Sequence, residues 1–149
     1  KRIAMINHYL SYKYARLRER GYKSVIHLKD LEYQAVEHAS DLSFRAGMVA
    51  MQNLLQDNPP DAVFAVSDTL AAGALRAIQQ AGLRVPEDIA VVGFDGTELA
   101  DMISLTTIEQ PSRDIGRKAV DLLLNKIDNP EAPTERVMMD WRFISRAST

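Results

Sequence analysis

Ile89 to Phe94 is an unbroken apolar run, IAVVGF, that follows the turn Val85-Pro86-Glu87-Asp88 and stops on Asp95-Gly96. A short apolar run between turn signals reads as a strand buried on both faces. Such strands belong to parallel sheets covered by helices. Ile3–Asn7, Gln34–Ala39, Ala62–Val66 and Leu105–Glu109 read as further strands, and helical stretches separate them. Strand and helix alternating at this spacing imply right-handed crossovers. The expected fold class is therefore α/β, a three-layer arrangement with a parallel sheet and helices on both faces.

The punctuation between strands supports that reading. Tyr12 to Leu28 is charged and free of proline, so it predicts a helix, with Gly21 weakening its middle. Ser40-Asp41 is placed to cap a helix from Leu42 to Gln56, whose apolar positions Phe44, Met48, Met51 and Leu55 recur at helical spacing. Asn58-Pro59-Pro60-Asp61 breaks it. Ser67-Asp68 opens a third helix, Thr69 to Ala81, with Asp68 the favoured cap and Gly82 the stop. Glu98 to Ile103 predicts one helical turn. Ser112 to Ile127 predicts a helix carrying Ile115, Ala119, Leu122, Leu123 and Ile127 on one face. That broad stripe needs cover. Arg136–Met139 and Arg142–Ser145 read as two terminal strands, with Trp141 between them expected in a core or an interface.

Composition narrows the function. The chain has 149 residues, enough for one domain with a substantial core. Its net charge of −2 offers no electrostatic case for nucleic-acid binding by this segment. Cysteine is absent, which excludes disulfides, thiolate metal sites and a cysteine nucleophile. No apolar run reaches the roughly 18 residues of a membrane span. The opening KRIAMINHYL lacks a signal-peptide core and reads as an internal strand. The chain is accordingly expected to start partway through a longer protein. There is no G-x-S-x-G, no phosphate-binding loop, no G-x-G-x-x-G and no H-E-x-x-H. His8, His27 and His38 lack metal-ligand spacing. Binding is favoured over catalysis, with no catalytic residue, metal or cofactor expected.

Ligands of open α/β sheets sit beyond the carboxyl ends of the strands. That rule makes Asp95 a candidate, since a carboxylate there can accept hydrogen bonds from vicinal hydroxyls; a turn-capping role is an equal alternative. Ser67 would lie beside it. Arg16, Arg18 and Arg20 alternate on one helix, and at about 100° per residue they cannot share a face. One of them could offer a planar fork to a polar ligand. Tyr9, Tyr12 and Tyr14 cluster in and after the first loop, as stacking rings or as helix-surface residues.

These segments resemble a known family. AVSDTLAAGALRAIQQAGLRVPEDIAVVGFDGTELA (Ala65–Ala100), LTTIEQPSRDIGRKAVDLLL (Leu105–Leu124) and KRIAMINHYLSYKYARLRERGY (Lys1–Tyr22) are similar to the effector-binding core of LacI/GalR transcription regulators. The resemblance covers essentially the whole chain. It implies a periplasmic-binding-protein-like (type I) subdomain, the C-terminal half of such a core. Residues 1–110 would form the second subdomain. Residues 111–128 would be a helix covering the first subdomain, and residues 134–149 the terminal strands. The DNA-binding headpiece would lie outside the chain. The resemblance places ligand contacts at Arg18, Asp95 and Ser67, with Phe94 and Gln110 lining the crevice or the crossover. It implies a small polar effector, a sugar first and a nucleoside second, with no obvious basic cluster at the strand ends to suit a phosphate. It also implies operator DNA bound through the headpiece, a homodimer, and a cytoplasmic, membrane-free protein. The alternative is a periplasmic sugar-binding protein of a transporter; an α/β enzyme stands behind both. Three features depart from the family pattern: the usual Pro-Pro before Leu105-Thr106-Thr107 is absent, with Ile103-Ser104 in a shorter loop, and two single positions differ. Leu42 stands where many members carry an aromatic ring, leaving Phe44 or the tyrosines to stack, and Gly96 follows the aspartate where many have a polar residue.

Overall fold

The structure is a computed structural model and describes residues 1–149. Its strands are β1 (Ile3–Asn7), β2 (Ala35–His38), β3 (Ala62–Ala65), β4 (Ala90–Asp95), β5 (Thr106–Glu109) and β6 (Arg142–Ile144). Its helices are α1 (Lys13–Leu28), α2 (Phe44–Leu54), α3 (Asp68–Gln80), α4 (Glu98–Met102) and α5 (Ser112–Asp128). The strands form one sheet in the order β2-β1-β3-β4-β5-β6. The first five run parallel, and β6 returns antiparallel to β5. The expected α/β class holds, with this one antiparallel edge added.

The chain moves outward from β1 to β2 and then doubles back past β1 to β3. Right-handed crossovers therefore place α1 on one face and α2 with α3 on the other. The apolar runs supply the core: Met5, Ile6, Val63, Val91, Leu70, Ile78, Met51 and Ile26 are all buried. Helices α2 and α3 meet backbone to backbone through glycines. A Cβ added at Gly47 would lie 2.2 Å from the Leu70 carbonyl oxygen, and one at Gly73 would lie 2.1 Å from that of Phe44. No helix is long and apolar enough to cross a membrane.

Several expectations are corrected. Helix α2 is capped by Ser43, whose hydroxyl accepts the Ala46 N–H at 3.1 Å, and not by Ser40-Asp41. Asp41 instead accepts the Ser43 N–H at 2.7 Å and shapes the turn before the cap. The buried stripe of α2 is Ala46, Gly47, Ala50, Met51 and Leu54, because close approach to α3 demands small side chains. Phe44 is left 45% exposed. The cap of α3 is Ser67, which accepts the Leu70 N–H at 3.2 Å; Asp68 is the first helical residue. Gly82 does follow α3 in the left-handed region, at φ +76°. Arg136–Met139 forms no strand, so β6 alone extends the sheet. Trp141 is 64% exposed, which removes the core alternative and leaves the interface one untouched.

Beyond β6, Ser148 stitches β4 to β5 at the end opposite the carboxyl ends. Its carbonyl accepts the Val91 N–H at 2.8 Å. Its hydroxyl donates to the Val91 carbonyl at 2.6 Å and accepts the Thr106 N–H at 2.8 Å. Helix α5 has no buried residue, and Leu123 and Ile127 on its apolar face stand free.

Candidate functional site

The carboxyl ends of β1, β3, β4 and β5 bring Asn7, Val66-Ser67, Phe94-Asp95 and Gln110 to one edge of the sheet. The strand order reverses there, so α1 and α3 leave on opposite faces and open a crevice between them. Helix α1 projects Arg18 into this region. Arg16 turns back instead to the Leu10 and Ser11 carbonyls, and Arg20 is exposed.

Arg18 is held from two sides. Its guanidinium donates to the Val66 carbonyl at 2.7 Å. Its guanidinium carbon lies 3.6 Å from the centre of the Phe94 ring and 5.1 Å from that of Tyr14. A guanidinium over an aromatic face gains from the ring quadrupole. Burial lowers the Arg18 pKa, and the negative charge of Asp95 opposes that shift. Most of the five guanidinium N–H donors stay free of protein partners.

Asp95 ends β4 in the left-handed region, at φ +117°, and Gly96 follows at φ +71°. Only a glycine fits at 96, because a Cβ there would lie 2.6 Å from the Glu109 Cα. Gln110 donates its side-chain amide to one Asp95 carboxylate oxygen at 2.8 Å. Burial raises the Asp95 pKa above the ordinary carboxylate range; Arg18 and the Gln110 bond oppose it. Arg18 and Asp95 make no salt bridge with each other; their partners are Val66 and Gln110. An ion pair that does not close on itself leaves both charges available to a third molecule. An open polar cavity of about 900 Å³ starts at Asp95 and Gln110 and continues past Glu109, Arg113 and Arg142.

Ser67 is buried, and its Oγ caps α3, so one residue holds both the capping position and a place at the crevice. Phe94 serves as the platform under Arg18 and stands 6.4 Å from Phe64, ring centre to ring centre. Ser67, Phe94, Asp95 and Gln110 thus lie at the same end of the sheet, with Arg18 reaching it from α1; of the five, only Asp95 and Gln110 line the open cavity. Leu42 is exposed, and Phe44 lines a separate groove with Ala72, Leu75, Leu99 and Ile103, so Phe44 cannot supply the missing stacking ring. The tyrosines are better placed. His8 stacks on Tyr12 at 4.5 Å, and its Nδ1 bonds the Tyr14 hydroxyl at 2.7 Å. His8 is therefore part of an aromatic cluster and not an ordinary surface histidine.

Two buried carboxylates play parts the sequence does not show: Glu19, which is not among the expected site residues, and Asp68, the expected cap of α3. Glu19 accepts from the Asn7 amide at 3.0 Å and from Lys23 at 2.7 Å, and pairs with His38 at 2.9 Å. Burial alone would raise its pKa, but these bonds hold it below the usual range. The cluster braces α1 against the ends of β1 and β2, one residue from Arg18. Asp68 is fully buried and holds Thr97 and Thr107. Charge alternation along α1 hints at Glu19; nothing local hints at the long-range partners of Asp68.

A doubly wound half-sheet with a polar fork and a carboxylate across its strand ends is a ligand-binding domain of the periplasmic-binding-protein type. The chain belongs to that family: residues 1–149 match the periplasmic binding protein-like domain, in the form carried by LacI-family regulators. It is 37% identical to the ribose operon repressor of Haemophilus influenzae over 152 residues, covering 99% of this chain and 46% of that protein. It is 44% identical to the HTH-type transcriptional repressor CytR of Escherichia coli over 109 residues, covering 71% of this chain and 32% of that protein. A LacI-family regulator from Enterococcus faecium solved with bound ribose superposes with a TM-score of 0.90 at 30% identity, covering 99% of this chain and 56% of that one. The lac repressor dimer bound to operator and an anti-inducer gives 0.90 at 33%, covering 99% and 52%. The chain spans about half the length of the curated relatives it matches.

Proposed function

We propose that this chain forms one wall of the effector crevice of a LacI-type transcriptional regulator. In this reading Arg18 and Asp95 grip vicinal hydroxyls of a sugar or nucleoside from two sides. Ser67 and Gln110 set the flanking polarity, and Phe94 supports the fork. The single observation that carries the reading is the pairing of Arg18 and Asp95 at the reversal of strand order, each held by another partner and neither neutralising the other. The ligand shifts the relation between two subdomains, and that shift alters DNA affinity at a separate headpiece, a coupling free energy between two sites. The protein binds and does not catalyse, and it works in the cytoplasm. Residues 1–110 act as one subdomain. Helix α5 (within 111–128) lays its free apolar face over the other, and within residues 134–149 the single strand β6 closes the sheet edge. A homodimer is part of this reading.

The curated relatives matched over 99% of the chain are repressors, which favours this reading over a transporter's sugar-binding protein. Calorimetry on the full-length protein with D-ribose, D-glucose and uridine tests it. We expect one of them to bind and Asp95→Ala to weaken it by at least about tenfold, the scale of one lost charged hydrogen bond. Unchanged affinity in Asp95→Ala refutes the site. The isolated 149 residues should bind that compound far more weakly, because half the crevice lies elsewhere.

A further inference from the structure

We propose that Asp68 is a positioning residue for the ligand site: it holds the Asp95-Gly96 corner in place by tying α3, the loop after β4, and β5 to one buried carboxylate. This inference rests on the reading of Asp95 as a ligand contact.

Asp68 touches no solvent and lies behind the crevice. One of its oxygens accepts both the backbone N–H of Thr97 at 2.7 Å and the Thr97 hydroxyl at 2.8 Å. The other accepts the Thr107 hydroxyl at 2.6 Å. Three donors converge on its two oxygens, and it stands in the first turn of α3. The geometry of its partners is what points to the site. Thr97 is the second residue after Asp95, so the chain leaves the sheet at Asp95, passes two left-handed residues, and is caught at once by Asp68. Thr107 lies on β5, three residues before the Gln110 that holds the Asp95 carboxylate. The same carboxylate therefore controls both ends of the corner.

The path of the carboxylate has been cleared for it. Gly93 pairs with Thr107 across β4 and β5, and a Cβ at 93 would lie 2.5 Å from the Asp68 oxygen. A capping role does not account for Asp68, since Ser67 already caps α3. Nor does it meet the crevice directly. What remains is a tether acting on Asp95 through Thr97 and Thr107. Its charge also bears on Asp95, whose carboxyl it pushes upward as the smallest of several influences.

The test uses the full-length protein and D-ribose, with D-glucose and uridine as further probes, by calorimetry and thermal melting. Asp68→Asn keeps the shape but points an amide at the Thr97 N–H. Thr107→Val removes one donor and is the milder variant if Asp68→Asn fails to fold. Both should weaken binding by about tenfold or more, and the loss should vanish when the same change is made on top of Asp95→Ala. Thr107→Ser, which keeps the hydroxyl, should bind like the parent. Equal losses with and without the Asp95 side chain would mean a purely structural role and would overturn the inference. If Asp95→Ala itself leaves binding intact, the site reading fails instead. Should none of the three probes bind, a crystal structure of Thr107→Val decides: we expect Asp95 to leave the left-handed region, and an Asp95 still at positive φ overturns the inference.

Discussion

Replacing Arg18 by lysine keeps the charge and removes the plane. The guanidinium lies 3.6 Å from the Phe94 ring centre and donates to the Val66 carbonyl. A lysine ammonium can still reach the carbonyl, but it cannot lie flat on the ring and present a fork. The stack is worth about 0.5–2 kcal/mol. Arg18→Lys should therefore cost about 1 kcal/mol of stability, a melting decrease of roughly 2–4 °C for a domain of this size. The effect on binding should be larger. Losing one charged hydrogen bond to a ligand hydroxyl costs about 1.5–3 kcal/mol, or roughly 10- to 150-fold in affinity. Arg18→Met goes further, because it also removes the positive charge that opposes the burial of Asp95. Ligand binding that needs the Asp95 carboxylate is lost as pH falls through its already raised pKa. Without Arg18 that pKa rises again, so the loss begins at a higher pH; with lysine at 18 it stays where it was. Calorimetric titration of both variants across acid pH separates the cases. Parental affinity in Arg18→Lys would refute the fork. Identical acid limbs in Arg18→Met and the parent would refute the electrostatic link between Arg18 and Asp95.

Gly73→Ala should destabilise by about 1–3 kcal/mol in urea titration, since its Cβ would meet the Phe44 carbonyl at 2.1 Å and force α2 away from α3. Gly21→Ala, in α1 with nothing within 4 Å, should instead stabilise by about 0.5–1 kcal/mol. Ser148→Ala leaves the Thr106 N–H and the Val91 carbonyl short of partners and should cost about 1–3 kcal/mol without touching ligand affinity. Glu19→Gln should destabilise most at neutral pH. The Glu19 pKa is depressed in the fold, so its contribution is present above the ordinary carboxylate value and fades as pH falls through the lowered one; the gap to the parent should narrow below about pH 4.

The strands were legible because they are buried on both faces and so read as plain apolar runs; IAMIN, AVFA and AVVGFD each declare themselves. Asp95 was legible for the same reason, as the polar stop of such a run. Arg18 was not separable from Arg16 and Arg20 by spacing, because the tertiary packing of Ala15, Glu19, Tyr22 and Ile26 fixes which side of α1 faces the crevice. Ser67, and not Asp68, caps α3. Either side chain can cap, and what removes Asp68 from the task is Thr97 and Thr107, 29 and 39 residues away. Ser40-Asp41 misled in the same manner: it precedes a helix, yet shapes the turn that presents Ser43. Arg136–Met139 has strand composition but no ladder to join.

The left-handed backbone at Asp95 sets fold and function against each other. A non-glycine residue held at φ +117° carries a conformational cost of order 1–3 kcal/mol that serves no packing purpose. Asp95→Gly would relieve it and would also end the burial of a charge. The expected product is a sturdier molecule that no longer senses its effector. Screening variants by heat resistance alone should therefore enrich changes at this position, whereas screening for response should reject them. The site survives only where something besides durability is being selected.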